Sequence, residues 1–263
     1  MERKPTSDDD LTLALQLADG AGAISLSHFR RPIRRWSKTD GSLATEADLA
    51  VEDAIRARLG LERPGDAVLG EERGQTGSAN RRWIVDGIDG TVDFAAGTND
   101  WGTLIALEVD GRVVVGVCDQ PAHKRRYWAV RGHGAFMSVE SSAAERRRLN
   151  VSTMRDLQMA RSFVPRVEWV RDARAGGIAA ALNSATKPEP PVEHPALQVA
   201  TGGYDVAIFL IAGPWDLAAP LLVVEEAGGR FSDIDGRYDW TTGSAVFSNG
   251  HLHDDVIRIA ALT

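Results

Sequence analysis

The sequence predicts an α+β fold, a layered sandwich of helices and mixed sheets. Three observations carry that expectation. Helical and strand periodicities alternate without the regular βαβ repeat of a doubly wound parallel sheet. Asp110-Gly111 joins two apolar runs with the turn chemistry of an antiparallel hairpin. Two further short apolar runs stop at acidic residues, where loops carried by a rigid sheet present functional side chains.

In chain order, residues 1–9 read as frayed. Leu11, Leu15 and Ala18 then share one helical face, behind a Ser7 to Asp10 segment that sets a capping residue and acids at the positive helix end. This helix runs to about His28. Lys38-Thr-Asp-Gly41 has turn chemistry, and Thr45 caps a second helix whose Ala47, Val51, Ile55 and Leu59 share a face. Asp48 falls in its first turn, where the spacing leaves open a capping box or an outward-pointing metal ligand. Ala67-Val68-Leu69 ends at Gly70-Glu71-Glu72, and Trp83-Ile84-Val85 ends at Asp86, so both read as buried strands with acids at their ends. The hairpin pairs residues 104–109 with 113–118, and residues 127–130 add a third antiparallel strand. Residues 187–195 hold four prolines in nine positions and predict a linker or exposed loop. Leu217, Leu221 and Val224 mark a helix over 215–227, with Asp216 at its start and Gly228-Gly229 as its stop. Residues 230–233 and 244–248 continue as strands around Asp235-Gly236, and residues 254–261 form a closing helix.

Bulk properties exclude several functions. At 263 residues, 43% hydrophobic and 25% charged, the chain can bury a core without staples. Its single cysteine, Cys118, rules out an intrachain disulfide framework and fits a reducing compartment. The opening residues show no apolar core followed by a small-residue cleavage site, and the longest apolar run falls far below the roughly 18 residues of a membrane span. A cytoplasmic protein with no membrane partner is expected. A formal net charge of −7 disfavours nucleic acid, whose phosphates are held by basic stripes. The six histidines show no zinc spacing.

Four sites stand out: Asp48, Glu71, Asp86 with Asp89, and Asp216. Taken singly, each acid has an ordinary structural reading as a cap, a turn residue or a surface charge. The segment Trp83-Ile-Val-Asp86-Gly-Ile-Asp89-Gly90-Thr91 is different. Two aspartates three apart, with the Ile88 carbonyl between them, offer hard oxygen ligands suited to magnesium. Gly90 lets backbone N–H groups approach a phosphate, and Thr91 adds a hydroxyl.

With Gly70-Glu71-Glu72 and Trp215-Asp216-Leu-Ala-Ala219 followed by Glu226-Ala-Gly-Gly229, this segment resembles the inositol monophosphatase family of lithium-sensitive, metal-dependent sugar phosphatases. The similarity runs from the first helix to Gly250. It implies the layered αβαβα sandwich of the inositol monophosphatase and fructose-1,6-bisphosphatase type. One compact unit is expected, with residues 1–150 as a lobe carrying the metal and phosphate motifs and residues 151–263 as a lobe carrying the last metal ligand and the specificity loop. The resemblance further implies two to three Mg2+ ions, with Mn2+ as a substitute. Their ligands would be Glu71, Asp86, the Ile88 carbonyl, Asp89 and Asp216. Asp48 would act through water, Thr91 would orient the attacking water, and Glu71 or Asp48 would accept its proton. The phosphate would rest on the N–H groups of Gly90 and Thr91. A small phosphorylated metabolite is the expected partner, and a homodimer the expected assembly.

The chain also departs from that family. Position 87 is glycine instead of the usual proline, which predicts a ligand loop less rigid in the unfolded chain, with the same loosening open for the folded one. Asp93 replaces the usual asparagine, and residues 187–195 replace the segment that contacts substrate. Phe209 stands where inositol-specific enzymes place a glutamate, which argues against myo-inositol phosphate. The stretch from Trp101 to Phe136 is most similar to the histidinol-phosphate phosphatase branch. Asp93, Glu193 and Asp205 are candidate partners for an amine, and His194 and Phe209 complete the substrate candidates. Histidinol phosphate is the leading substrate, ahead of inositol 1-phosphate or another cyclitol or sugar phosphate, and then a nucleotide 3′-phosphate. From a different class, a non-catalytic relative that binds a phosphorylated metabolite would hold ligand without releasing phosphate.

Overall fold

The computed structural model describes residues 7–139, 146–167, 170, 172–190 and 193–263. The long helix α1 (Ser7–His28) begins four residues earlier than the apolar spacing suggests. Residues 7–9 are therefore helical, and the remainder of the segment expected to fray lies outside the described residues. Asp8, Asp9 and Asp10 occupy the first turn, where the helix dipole favours acids. The buried Asp10 is further held by Arg63 and Arg81. The short hairpin of β1 (Arg35–Ser37) and β2 (Leu43–Thr45) leads into α2 (Glu46–Glu62).

Among the described residues a sheet of eight strands follows: β3 (Ala67–Gly70), β4 (Gly74–Thr76), β5 (Arg81–Asp89), β6 (Gly102–Val109), β7 (Arg112–Gln120), β8 (Arg125–Val130), β9 (Gly134–Val139) and β10 (Arg147–Arg148). Its spatial order is β10-β9-β8-β7-β6-β5-β3-β4, with only β3 and β5 parallel. The β6–β7 turn takes positive φ at Asp110 and Gly111, as the sequence predicts. The second sheet, in order β12-β11-β13-β15-β14, contains β11 (Arg161–Phe163), β12 (Lys187–Pro188), β13 (Val206–Phe209), β14 (Arg230–Ser232) and β15 (Ala245–Ser248). The other helices are α3 (Thr91–Ala96), α4 (Ala173–Ala185), α5 (Pro195–Ala200), α6 (Pro214–Glu226) and α7 (His253–Ala261).

Five layers result. Helices α1 and α2 cover one face of the larger sheet, α6 and α5 lie between the sheets, and α4 and α7 cover the far face of the smaller one. Three apolar clusters fill the four interfaces, the middle one spanning both faces of the α5–α6 layer: Leu17, Val51, Ile55 and Trp83 in the first, Leu104, Leu197, Leu221 and Phe247 in the middle, and Ile178, Leu182, Val246 and Val256 in the last. Burying one such side chain contributes about 1.5–3 kcal/mol. The all-round apolar character of α6, buried from Leu217 to Val224, is that of a helix with sheets on both sides. Among the described residues, no helix is long and apolar enough to cross a membrane.

Two expectations are corrected here. β5 does not stop at Asp86 but continues to Asp89 across a register shift, because Gly102 of β6 still pairs with Asp89 beyond the irregularity. The proline-rich segment is only partly a loop. Lys187 and Pro188 pair with β11 at the sheet edge, where a missing N–H is tolerated, and Pro195 opens α5 at the first helical position.

Candidate active site

The parallel pairing of β3 and β5 sets Gly70 beside Val85, so the next residues stand side by side, Glu71 just past the end of β3 and Asp86 within β5 where its register with β6 shifts. The Glu71 N–H donates to the Val85 carbonyl at 3.3 Å, which extends this register by one bond. Helix α6 crosses the same sheet and brings Asp216, in its first turn, to the same end. Glu71, Asp86 and Asp216 each offer a carboxylate oxygen, and these oxygens lie within 4.8 Å of one another. Asp89 adds a fourth acid whose charge acts on both Asp86 and Asp216.

Such crowding opposes ionisation. Burial, reinforced by the neighbouring acids, pushes Glu71, Asp89 and Asp216 up to about 7. Asp86, fully buried, is raised well above its ordinary value by the same causes and shares a hydrogen bond with Asp216. Buried carboxylates at this spacing favour cations or protons, and an all-oxygen donor set fits hard divalent ions.

Asp48 takes the capping reading and also reaches Thr91. Its Oδ2 accepts the Thr45 N–H at 2.8 Å in a capping box, while its Oδ1 accepts the Thr91 hydroxyl at 2.9 Å. The Thr91 Oγ1 also lies 3.1 Å from the Ile88 carbonyl. Gly90 caps the single-turned α3 with φ +81°, and a Cβ there would sit 2.7 Å from the Asp100 carbonyl, so glycine is required on both counts. Gly87 is also fixed by close approach. A Cβ at that position would lie 2.9 Å from the Asp48 carbonyl, and the Gly87 carbonyl accepts the Thr103 hydroxyl at 2.8 Å. Helix α2 packs directly on this backbone.

Two residues escaped the sequence reading. Lys38, taken as part of a turn, places Nζ 2.5 Å from Glu71 and 2.7 Å from Glu72, and both acids raise its pKa against the opposing effect of burial. Glu52 is fully buried, accepts the N–H groups of Glu72 at 2.7 Å and Arg73 at 3.1 Å, and pairs with Arg56. It thereby fixes the loop that carries Glu71. Its spacing held a signal, since Glu52 lies one helical turn beyond Asp48 on the same face. Lys38 had none, because its partners are more than thirty residues away.

A cavity of about 400 Å³ opens beside Asp89 and Gly90. Asp93, Glu193, His194 and Phe209, the substrate candidates, all line it. Asp93 accepts the Thr98 hydroxyl at 2.8 Å. The Glu193 carboxylate is committed elsewhere, to Arg125, to the Tyr127 hydroxyl at 3.0 Å and to the Gln198 amide at 3.2 Å. These contacts hold its left-handed backbone, φ 65°, with the Asp100 carboxylate accepting its N–H at 3.2 Å. Glu193 is thus a clamp on the loop. His194 is stacked on Phe209 with centroids 5.6 Å apart, and its Nδ1 accepts the Ala196 N–H. That bond leaves the neutral ring's proton on Nε2, which lies 3.8 Å from Asp89. Burial holds the His194 pKa down at about 4. Asp205 does not face the cavity as a substrate partner. It is fully buried and accepts from the Ser152 hydroxyl and the Arg161 N–H, joining two segments of the smaller sheet's surroundings.

Five alternating layers with buried acids gathered at one sheet end define a class of hydrolase-type scaffold built to hold cations against an anionic ligand. The chain belongs to the inositol monophosphatase family, whose model matches residues 7–261. It is 43% identical over 255 residues to a histidinol-phosphatase of Mycobacterium tuberculosis, covering 95% of this chain and 97% of the relative. A histidinol-phosphatase of Streptomyces coelicolor is 38% identical over 256 residues, covering 95% and 96%. Among solved structures, the Thermotoga maritima IMPase superimposes with a TM-score of 0.83 at 26% identity over 97% of both chains.

Proposed function

We propose that this chain is a metal-dependent phosphate-monoester hydrolase, with histidinol phosphate as its leading substrate. The observation that carries the reading is the convergence of Glu71, Asp86 and Asp216 from three distant segments into one buried group of oxygens. Mg2+ ions, two to three in number and replaceable by Mn2+, would be held by Glu71, Asp86, Asp89, Asp216 and the Ile88 carbonyl, where they supply Lewis acidity and water of lowered pKa. Thr91 donates to Asp48, so its remaining lone pairs are free to orient a water, and Asp48 or Glu71 would take that water's proton. The phosphate would rest on the N–H groups of Gly90 and Thr91. A cytoplasmic homodimer completes this reading.

The histidinol-phosphatases among the relatives favour that substrate, and Phe209 favours it over a polyol, whose hydroxyls an apolar ring leaves unpaired. Inositol 1-phosphate remains the second reading, supported by an inositol-1-monophosphatase of Mesorhizobium japonicum that is 35% identical over 229 residues. The test is phosphate release from histidinol phosphate and myo-inositol 1-phosphate, with Mg2+ or EDTA, by wild type and Asp89→Asn. Mg2+-dependent release that the substitution abolishes supports the hydrolase. Ligand binding without release from any ester would identify a non-catalytic binder instead.

A further inference from the structure

His194 stands where the two ends of the cavity meet. On one side its Nε2 lies 3.8 Å from the Asp89 carboxylate, next to Gly90. On the other its ring is stacked on Phe209 at 28°, and Phe163, Leu210 and Ile211 continue that apolar wall. A phosphate monoester lying with its charged group among the acids and its organic group on the wall has one atom at this junction, the ester oxygen that joins the two.

The ring is fixed in a single orientation. Its Nδ1 accepts the Ala196 N–H at 3.2 Å and its face is held by Phe209. A ring nitrogen that accepts carries no proton, so the neutral imidazole holds its proton on Nε2, the atom turned towards Asp89. At 3.8 Å this N–H makes no hydrogen bond to Asp89, and it has no other partner among the described residues. Nor is it sealed off: the buried side-chain atoms without a partner among the described residues are Trp101 Nε1 and Gln120 Oε1, and His194 Nε2 is not one of them, so it keeps surface on the cavity.

Resting on the phosphatase reading, we propose that His194 is a catalytic residue, whose Nε2–H donates a hydrogen bond to the ester oxygen as that oxygen departs. The P–O bond breaks with its electron pair on the leaving oxygen, while the oxygen of the attacking water bonds to phosphorus and its proton goes to Asp48 or Glu71. Solvent gives the alcohol its proton and takes one back from that acid, so no proton is gained or lost. The imidazole stays neutral throughout. A fixed, uncharged donor beside an apolar wall favours the charge that develops on the leaving oxygen and has no other bond to give up first.

The test compares 2-phenylethyl phosphate, whose leaving group is a basic alkoxide, with 4-nitrophenyl phosphate, whose leaving group is a stable anion, in wild type, His194→Phe and His194→Gln with Mg2+. His194→Phe keeps an aromatic ring on Phe209 but has no N–H, and should lower kcat for the alkyl ester about a hundredfold with little change in KM. The loss with the nitrophenyl ester should be at least about tenfold smaller, because a weakly basic oxygen gains little from a donor. His194→Gln carries an N–H and should recover much of the alkyl-ester rate. Equal losses with both esters mean a bond to another phosphate oxygen or a purely structural role, and overturn the proposal, as does an alkyl-ester kcat unchanged in a folded His194→Phe. Nitrogen NMR of 15N-histidine-labelled protein at pH 7 reads the ring without turnover: a His194 proton on Nε2 is expected, and one on Nδ1 refutes the assignment. Release from neither ester by wild type would sink the phosphatase reading and this role with it, whereas wild-type release with equal losses removes His194 alone.

Discussion

Asp48 serves Thr45 and Thr91 with different oxygens: Oδ2 caps α2 through the Thr45 N–H at 2.8 Å, and Oδ1 accepts the Thr91 hydroxyl at 2.9 Å. One carboxylate therefore ties a helix start to the loop that follows β5, and stability and activity should separate when its two bonds are broken one at a time. Thr91→Val removes only the hydroxyl; phosphate release should fall at least about a hundredfold with little change in Tm. Asp48→Ala removes the cap as well and should cost about 0.5–2 kcal/mol of stability besides the activity. Full activity in Thr91→Val, in the phosphate-release assay, would remove Thr91 from the mechanism.

The acid cluster predicts a pH dependence of the metal-free protein. Glu71, Asp89 and Asp216 move from 4.5, 3.8 and 3.8 up to about 7, with burial as the main cause. Between those limits the folded chain binds more protons than the unfolded chain, so these groups lower stability as pH rises from about 4 to about 7. EDTA-treated protein should show this as a falling contribution to Tm, and Mg2+ should raise Tm more at about pH 8 than at about pH 5. An equal Mg2+ shift at both pH values would contradict cation binding by these acids.

Glu52 supports Glu71 without touching the cavity. Glu52→Gln keeps one acceptor but loses the charge that holds two N–H groups and Arg56, each charged hydrogen bond contributing about 1.5–3 kcal/mol. Tm should fall, and the Mg2+ concentration for half-maximal activity should rise severalfold, while KM for the ester at saturating Mg2+ changes little. A lowered Tm with an unchanged Mg2+ requirement would make the residue purely structural.

Gly87 should tolerate no side chain. Its Cβ would meet the Asp48 carbonyl at 2.9 Å and the Val51 Cβ at 3.4 Å, so Gly87→Ala must push α2 outward and take Asp48 with it. A loss of about 1–3 kcal/mol in denaturant unfolding is expected, with reduced turnover. Wild-type stability in Gly87→Ala would show that α2 and β5 are less closely packed than described.

Much of the fold was legible locally. Asp110-Gly111 fixes the β6–β7 hairpin, Thr45 and Asp48 fix the start of α2, and Gly228 stops α6, because each signal is a matter of backbone conformation within a few residues. The start of α1 at Ser7 leaves no mark in the apolar spacing, which registers buried positions and not the polar first turn. β5 was read too short because a buried Asp86 looks like a strand end, when in fact the ladder resumes at Asp89.

The sequence by itself marked α1, α2, α6, α7, the β6–β7 hairpin and the acids near them, since periodicity, caps and turns act over a few residues, while α4, α5, β9, β11 and β13 carried no comparable signal. Tertiary structure alone decided that Glu71 emerges beside Asp86, that α6 delivers Asp216 to them, and that Lys38 and Glu52 brace the same loop. The physical reason is distance along the chain: strand register and helix packing join residues up to 145 positions apart, from Glu71 to Asp216, and no local pattern encodes which of them meet.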